Sequence, residues 1–415
     1  MDEENKDFLN EIFGFQENGN GCQSNLIFYD VEPFDKNYNI SIRDGIQIGT
    51  KDNEYLYKNA QKMGKYNYEI IDSGAKFQFR LEANLWRNQQ KKLSKLENLL
   101  FMVLSILKNG ELQFGAKTTR GFGKIKLEDV KILKLNLSDK NDVEKWINLN
   151  WETFEGNTKL NELNAEKLNI KDINLVTLYV SFRIPYSLLI GEYFSDPGEV
   201  DIVHIQENGA SIIPGTSWNG ALRSAIYQIF RDIKRELLKD GNLKDIIEDK
   251  TYNKVFNDLI ESLFGFVAID TEQSANQSRK SRIYIEHSKI NNRKVLMKYI
   301  HNKIDRFTGG AVDGALFTDC ASYGGSTDLH IIIKDCKNYE VGMILLGIKE
   351  LMNGFQSIGG TTAVGRGILE SKEISINHKK LTEAKFEDYC NKFINEIIRR
   401  LKSNGKNNNM RDQNE

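Results

Sequence analysis

Hydrophobic patterns recur in the same order in the two halves of the chain. FLNEIFGF (Phe8–Phe15) returns as LIESLFGF (Leu259–Phe266). After each comes a polar loop and an alternating run, SNLIFYDVE from Ser24 and SRIYIEH from Ser281, and then a second, KFQFRLEA from Lys76 and DLHIIIKD from Asp328. Alternation with period two predicts half-buried strands. A helical period follows in both copies. Leu93, Leu96, Leu100, Val103 and Leu107 share one face, as do Val341, Ile344, Leu345, Ile348 and Leu351. Each helix stops at Asn-Gly, Asn109-Gly110 and Asn353-Gly354, a left-handed exit. Each then enters a glycine-rich segment, GAKTTRGFGKIKL from Gly115 and GGTTAVGRGILE from Gly359. Gly110 and Gly354 are 244 residues apart, and so are Gly121 and Gly365. A constant offset across ordered elements marks a duplication.

The second copy is longer at its front. VTLYVSFRI from Val176 reads as a strand, and from Ser217 a helix turns Ala221, Leu222, Ala225, Ile226, Ile229, Phe230 and Ile233 inward. The order strand, helix, strand, strand, helix, strand is that of a ferredoxin-like, RRM-related fold, so the class expected is α+β with two such domains. The first copy lacks its opening strand and helix. That strand is central in the topology, so its loss leaves a gap in the sheet. Either another chain supplies the missing pieces or the reading frame is a piece of a longer one. The expected domains are 1–130 (partial), an ordered connector 131–172 holding Trp146 and Trp151, 173–376 (complete), and 377–415, a helix from Glu383 to Lys402 followed by a disordered tail.

Composition narrows the partners. Fifty-seven basic against fifty-eight acidic residues give a net charge of −1, so any polyanion site must be local. No apolar run approaches the ~18 residues that span a bilayer, and the N-terminus has no signal-peptide pattern, so a cytoplasmic, membrane-free protein is expected. Cys22, Cys320, Cys336 and Cys390 form no CxxC pair and read as reduced thiols, and the five histidines show no HExxH spacing.

Two segments carry candidate chemistry. Glycines leave backbone amides uncovered for a phosphate, so Gly121, Gly123, Gly360, Gly365 and Gly367 are candidate contacts. Thr118, Thr361 and Thr362 add hydroxyls, and Lys117, Arg120 and Arg366 add charge. A tight strand-entry turn would use the same glycines. The second segment is IIPGTSWNGALRSAI (Ile212–Ile226), in which a Pro-Gly turn precedes a helix start that Thr216 or Ser217 can cap, exposing first-turn amides. Arg223, nearly two turns on, reaches a second phosphate. Trp218 either stacks on a base or belongs to the core.

PGTSWNGALRS resembles the PGSSLKGxLRS segment of the RAMP superfamily of CRISPR-associated proteins, and the two glycine-rich segments resemble its C-terminal glycine-rich loop. KIDRFTGGAVDGALF (Lys303–Phe317) is similar to the segment ending the β-hairpin "thumb" of type III effector-complex backbone subunits. The resemblance spans Val176–Ser375 and, in part, Phe8–Leu127. It implies binding of CRISPR RNA and complementary target RNA alongside other effector subunits, with each thumb kinking the duplex. It also implies an aspartate that cleaves target RNA with Mg²⁺ or another divalent metal. GEVDIVHIQENGASIIPG puts Asp201 on that position, as catalytic residue and metal ligand. The family's usual lysine is Asn219 here, which removes a phosphate contact, and Ile202 replaces a serine. Arg306, at the hairpin, is expected to touch RNA, His301 stays undecided, and His204 is either an assistant to Asp201 or a surface strand histidine. The alternatives are a scaffold without an active site and a guide-processing endoribonuclease.

Overall fold

The structure, a computed structural model, describes residues 3–17, 19–34, 38–46, 65–86, 93–110, 112–160, 174–193, 200–239, 249–266 and 278–411. The elements that position the site are α1 (Glu3–Phe13), β1 (Leu26–Phe28), β2 (Leu81–Ala83), α2 (Leu93–Lys108), β3 (Leu175–Arg183), β4 (Ile202–His204), β5 (Ala210–Ile213), α3 (Gly215–Leu237), α4 (Asp249–Phe264), β6 (Ile283–Ile285), β7 (Ser288–Asn291), β8 (Val295–His301), β9 (Phe317–Tyr323), β10 (Ser326–Lys334), α5 (Asn338–Met352), β11 (Ser375–Ile376) and α6 (Glu383–Arg411). The contacts divide the chain into two compact units. One holds Met1–Phe114 and Lys124–Lys171, and the other Gly115–Gly123 and Asp172–Glu415. This division departs from the repeat boundaries, because the first glycine-rich loop folds with the later unit.

In the later unit β10 pairs antiparallel with β3 over nine residues, β6 and β7 pair with the other edge of β10, and β11 pairs with β3. The order second, third, first, fourth is the ferredoxin-like one, and the chain is α+β as the patterns predict. Alternation sends Leu178, Val180 and Phe182 of β3 and Leu329, Ile331 and Ile333 of β10 to one face, where Leu222 and Ile226 of α3 and Ile344, Leu345 and Ile348 of α5 cover them. Each fully buried aliphatic side chain there stabilises by about 1.5–3 kcal/mol. LIESLFGF closes α4, a helix separate from α3, with Gly265 and Phe266 just past its end. Phe393, Ile397 and Leu401 anchor α6 to the same core. That helix runs on to Arg411 rather than stopping at Lys402, because adding turns to an anchored helix costs little.

A second sheet grows from this unit. β8 and β9 form a seven-pair antiparallel hairpin, and β4 lies parallel to β9 with Ile202 opposite Asp319.

In the earlier unit α1 and α2 pack Ile12 and Leu96 against Leu26 of β1. β1 pairs with β2, and among the described residues no strand lies on the other edge of β2, where the opening strand would be. The helix-to-strand joint repeats in detail. Ser24 Oγ bonds the carbonyls of Ile12 and Leu26, and Ser281 Oγ bonds those of Leu263 and Ile283. Of the first helix's predicted face, Val103 is exposed. Residues 161–172 of the expected connector lie outside the described residues, and Trp151, with Arg80 stacked 3.5 Å from its ring, lies in the earlier unit.

Candidate nucleic-acid interface

The two glycine-rich loops have one backbone conformation. Lys117 (φ 55°, ψ 27°) and Thr361 (φ 52°, ψ 35°) are both left-handed and open one turn of 3₁₀ helix, and Gly121 (φ 86°) and Gly365 (φ 85°) close it. The closing amide returns to Thr118 O in the first loop and Thr362 O in the second, at 3.2 and 3.0 Å. Gly123 and Gly367 follow at φ 72° and 78°. Lys and Thr at a left-handed position carry strain that a plain turn would avoid by using glycine.

Their surroundings differ. The first loop is half-buried against the start of α3 and the end of β6. A Cβ on Gly215 would fall 2.4 Å from Arg120 O, and one on Gly121 would fall 2.7 Å from the His287 amide nitrogen. The two glycines let two backbones meet. The helix start is therefore covered by a loop carbonyl, which corrects the reading of it as an open anion site. Pro214 caps the helix, and its carbonyl accepts from the amides of Ser217 and Trp218. Thr216 and Ser217 keep partial exposure.

Within α3 the predicted contacts fare unequally. Trp218 is 0% exposed, stacks on Phe182 at 5.6 Å between centroids and donates to Ser288 Oγ at 3.0 Å. It has no ring face for a base and is a core residue. Asn219 is 6% exposed and its Oδ1 is buried without a hydrogen-bond partner, so it too faces inward rather than RNA. Arg223 stays half-exposed and lies over the Phe264 ring at 5.7 Å.

The second loop is exposed from Gly359 to Gly365, and then Arg366 and Gly367 plunge inward. The Gly360 amide donates to Leu189 O at 2.7 Å and the Gly367 amide to Ser187 O at 2.9 Å, so neither is open to a phosphate. Arg366 is 4% exposed. Its Nη1 donates to Asp319 Oδ2 at 2.9 Å and to Thr361 Oγ1 at 3.2 Å, and its guanidinium lies 4.4 Å from the Tyr299 ring centre. Thr361 Oγ1 in turn donates to Gly360 O. Arg366 is thus an internal strut between loop and hairpin, which corrects its placement as a surface cation. Thr362 remains exposed.

The loop-side end of the β8–β9 ladder holds what sequence reasoning missed. Asp319, fully buried on β9, accepts from His301 Nε2 at 2.7 Å as well as from Arg366, and its Oδ1 has no partner. His301 stacks on Phe317 at 4.6 Å. The missed signal is a carboxylate in the inward phase of FTDCASY. Asp201 is exposed beside this end of the ladder. Its Oδ2 accepts from the Thr318 amide at 2.6 Å and the Thr318 hydroxyl at 3.2 Å, fastening the start of β4 to β9. His204, two residues inside β4, is neither assistant nor surface residue. It is 1% exposed, its Nδ1 accepts from the Ile190 amide at 3.1 Å, and its Nε2 donates to Ile212 O at 3.1 Å. Burial pushes its imidazole down to about 4.

Beyond β8, Asp305 Oδ1 accepts the amides of Phe307 and Thr308, both at 2.8 Å, which holds its carboxyl below the usual range. This turn leaves Arg306 exposed and Phe307 99% exposed. Among the described residues no three His, Cys, Asp or Glu side chains cluster as metal ligands, the four cysteines are unpaired, and no helix is long and apolar enough to cross a membrane.

No curated protein matches the chain. The family model of the RAMP superfamily matches residues 2–126 and 181–370, covering both glycine-rich loops, the helix start and the hairpin. With well over half of its residues matched in two tandem regions, the chain belongs to the RAMP superfamily, the CRISPR-associated RNA-binding proteins.

Proposed function

We propose that this chain is a backbone subunit of a type III effector ribonucleoprotein. It holds CRISPR RNA and cleaves the paired target at Asp201. The observation that carries the reading is the bond pair between Asp201 and Thr318. It ties an exposed carboxylate to the loop-side end of the hairpin ladder, next to the connecting turn that presents Arg306 and Phe307. A fully exposed aromatic ring on a braced turn suits wedging between bases. The wedge turn leads into β9 and the carboxylate is bonded to β9, so the two act at a fixed spacing along the RNA being kinked.

RNA supplies its own nucleophile. Once kinked, the 2′-oxygen attacks the adjacent phosphorus in line. A bond forms from O2′ to P, the bond from P to O5′ breaks, and a cyclic phosphate and a 5′-hydroxyl result. Asp201, acting as general base, accepts the 2′-hydroxyl proton, and water returns one to O5′. A divalent ion would lend charge to the phosphate. Asp201 has one carboxylate oxygen outside the Thr318 bonds, and that oxygen would hold the ion as the alternative to taking the proton itself. Mg²⁺ ordinarily fills the rest of its shell with water and phosphate oxygens, so a single protein ligand suits it. Exposed Thr362, half-exposed Lys117, Thr118 and Ser217, and Arg306 are the contacts proposed along the RNA backbone.

The same bond pair favours a second reading, a scaffold in which Asp201 only clips β4 to β9. Asp201→Asn separates the two, because its amide oxygen still accepts from Thr318 while the charge is gone. In the assembled complex with matched target RNA and Mg²⁺, Asp201→Asn should stop cleavage and leave guide retention unchanged. Cleavage at the wild-type rate would establish the scaffold. Repeat RNA incubated with the chain in EDTA should stay whole, and its processing would instead mark a guide-maturing enzyme.

A further inference from the structure

We infer that the earlier unit is an acceptor for a strand–helix segment of a different polypeptide, which pairs with the open edge of β2 and lays its helix across Phe13, Phe28 and Val103. The inference is independent of RNA binding and of catalysis at Asp201. The later unit supplies the template. The matched serine joints make Phe13 the counterpart of Phe264 and Phe28 the counterpart of Ile285. Strand pairing agrees, since Phe28 pairs with Leu81 as Ile285 pairs with Ile331. Val103 lies 244 residues before Gly347, the offset that relates the two glycine-rich loops.

In the later unit α3 covers all three positions. Arg223 lies over the Phe264 ring at 5.7 Å. A Cβ on Gly215 would fall 2.3 Å from Ile285 O, and one on Gly347 would fall 3.2 Å from Ile226. In the earlier unit the counterparts are exposed, Phe13 at 51%, Phe28 at 55% and Val103 at 36%. Phe13 and Phe28 stack with centroids 6.3 Å apart, so their rings present one apolar surface. Leu100 and Leu104 are half-buried where Ile344 and Ile348 are fully buried. Exposed apolar groups that together trace the path of one helix, beside a strand edge with no partner among the described residues, mark a layer to be filled. The valine that stands for Gly347 sets the fit. Its branches occupy the space into which Ile226 presses in the later unit, so the docking helix must carry a small residue there. A second copy of this chain does not fit, because its β3 and α3 form the core of its own later unit. The occupant is a different chain, an alternating strand followed by an amphipathic helix with an alanine-sized residue facing Val103.

The chain's own strand and helix provide the probe. Residues 174–237 carrying Ile226→Ala, fused to a soluble carrier, are added to the full-length protein. A complex with one probe per chain should form. With the probe at about 100 times its Kd, hydrogen exchange across 26–28, 81–83 and 99–107 should slow about 100-fold, with exchange across β3 and β10 unchanged. The unaltered 174–237 probe should bind about tenfold more weakly, because an extra branched side chain overpacks the groove. Val103→Gly in the acceptor should reverse that order, and Val103→Asp should abolish binding of both probes.

Failure of the Ile226→Ala probe to bind overturns the inference, as does binding whose order Val103→Gly leaves unchanged. So does exchange in the wild-type chain alone that protects 26–28 and 99–107 as strongly as 283–285 and 343–351, since the surface would then be covered from within. A chain isolated from its own cells with an intact mass above 47.7 kDa by a strand and a helix also overturns it, the pieces then lying in the same polypeptide. Should Val103→Gly unfold α2, Val103→Ala is read in its place and should narrow the gap between the two probes; an unchanged gap overturns the inference.

Discussion

Replacing Arg366 by alanine tests whether this cation serves RNA or the fold. Asp319 is fully buried, one of its oxygens already lacks a partner, and Arg366 and His301 share the other. Deleting the guanidinium leaves a buried carboxylate balanced by a single imidazole, which costs about 3–5 kcal/mol. At about 1.4 kcal/mol per tenfold, local opening of β9 and the second loop should speed by roughly two to three and a half orders of magnitude. Hydrogen exchange of peptides covering 317–323 and 358–367 reads this directly and separates it from the earlier unit. Removing both partners, as Arg366→Met with Asp319→Leu, should restore most of the protection, because well-packed apolar groups replace a buried ion pair at little cost. Normal exchange in Arg366→Ala, with weaker RNA binding and a shallower salt slope, would refute the reasoning and make Arg366 the phosphate contact its sequence context suggests.

Three further outcomes follow from the same geometry. Between pH 6.5 and about 4 the unfolded chain binds a proton that buried His204 does not. Stability should therefore be whole above 6.5 and fall by about 3 kcal/mol toward pH 4. His204→Gln should flatten that slope in denaturation midpoints, and an unchanged slope would refute it. Trp218→Ala should cost about 3–5 kcal/mol, the usual price of emptying a large core site, and the loss should appear in urea titrations without any RNA present. Phe307→Ala should leave stability within about 0.5 kcal/mol yet lower target cleavage in the assembled complex, and undiminished cleavage would remove the wedge from the mechanism.

The fold was legible because it rests on periodicity. Alternation set the burial phase of β3 and β10, and the 3.6-residue period set the face of α5. The constant offset of 244 reappears as matched dihedral angles in the two loops. Where periodicity misled, a tertiary partner had entered. The Pro-Gly start of α3 has every local mark of an anion site, yet a carbonyl from a segment nearly a hundred residues earlier lies over it. Nothing local to Ile212–Ile226 records that segment, although the glycine at 215 answers to it.

The site residues were harder to read because charge type does not reveal direction. Arg366 and Arg306 look alike in sequence, but one lies on a strand entry whose neighbours turn inward and the other on a turn that Asp305 holds in solvent. The discriminating signal is a complementary charge in the inward phase of another strand, and Asp319 is that charge. A buried cation needs such a partner to be tolerated at all, so an inward carboxylate in a strand beside a glycine-rich loop argues that the loop's arginine is already committed. By the same logic Asp201, exposed just before β4 with one carboxylate oxygen outside its Thr318 bonds, is the acid we propose acts on RNA.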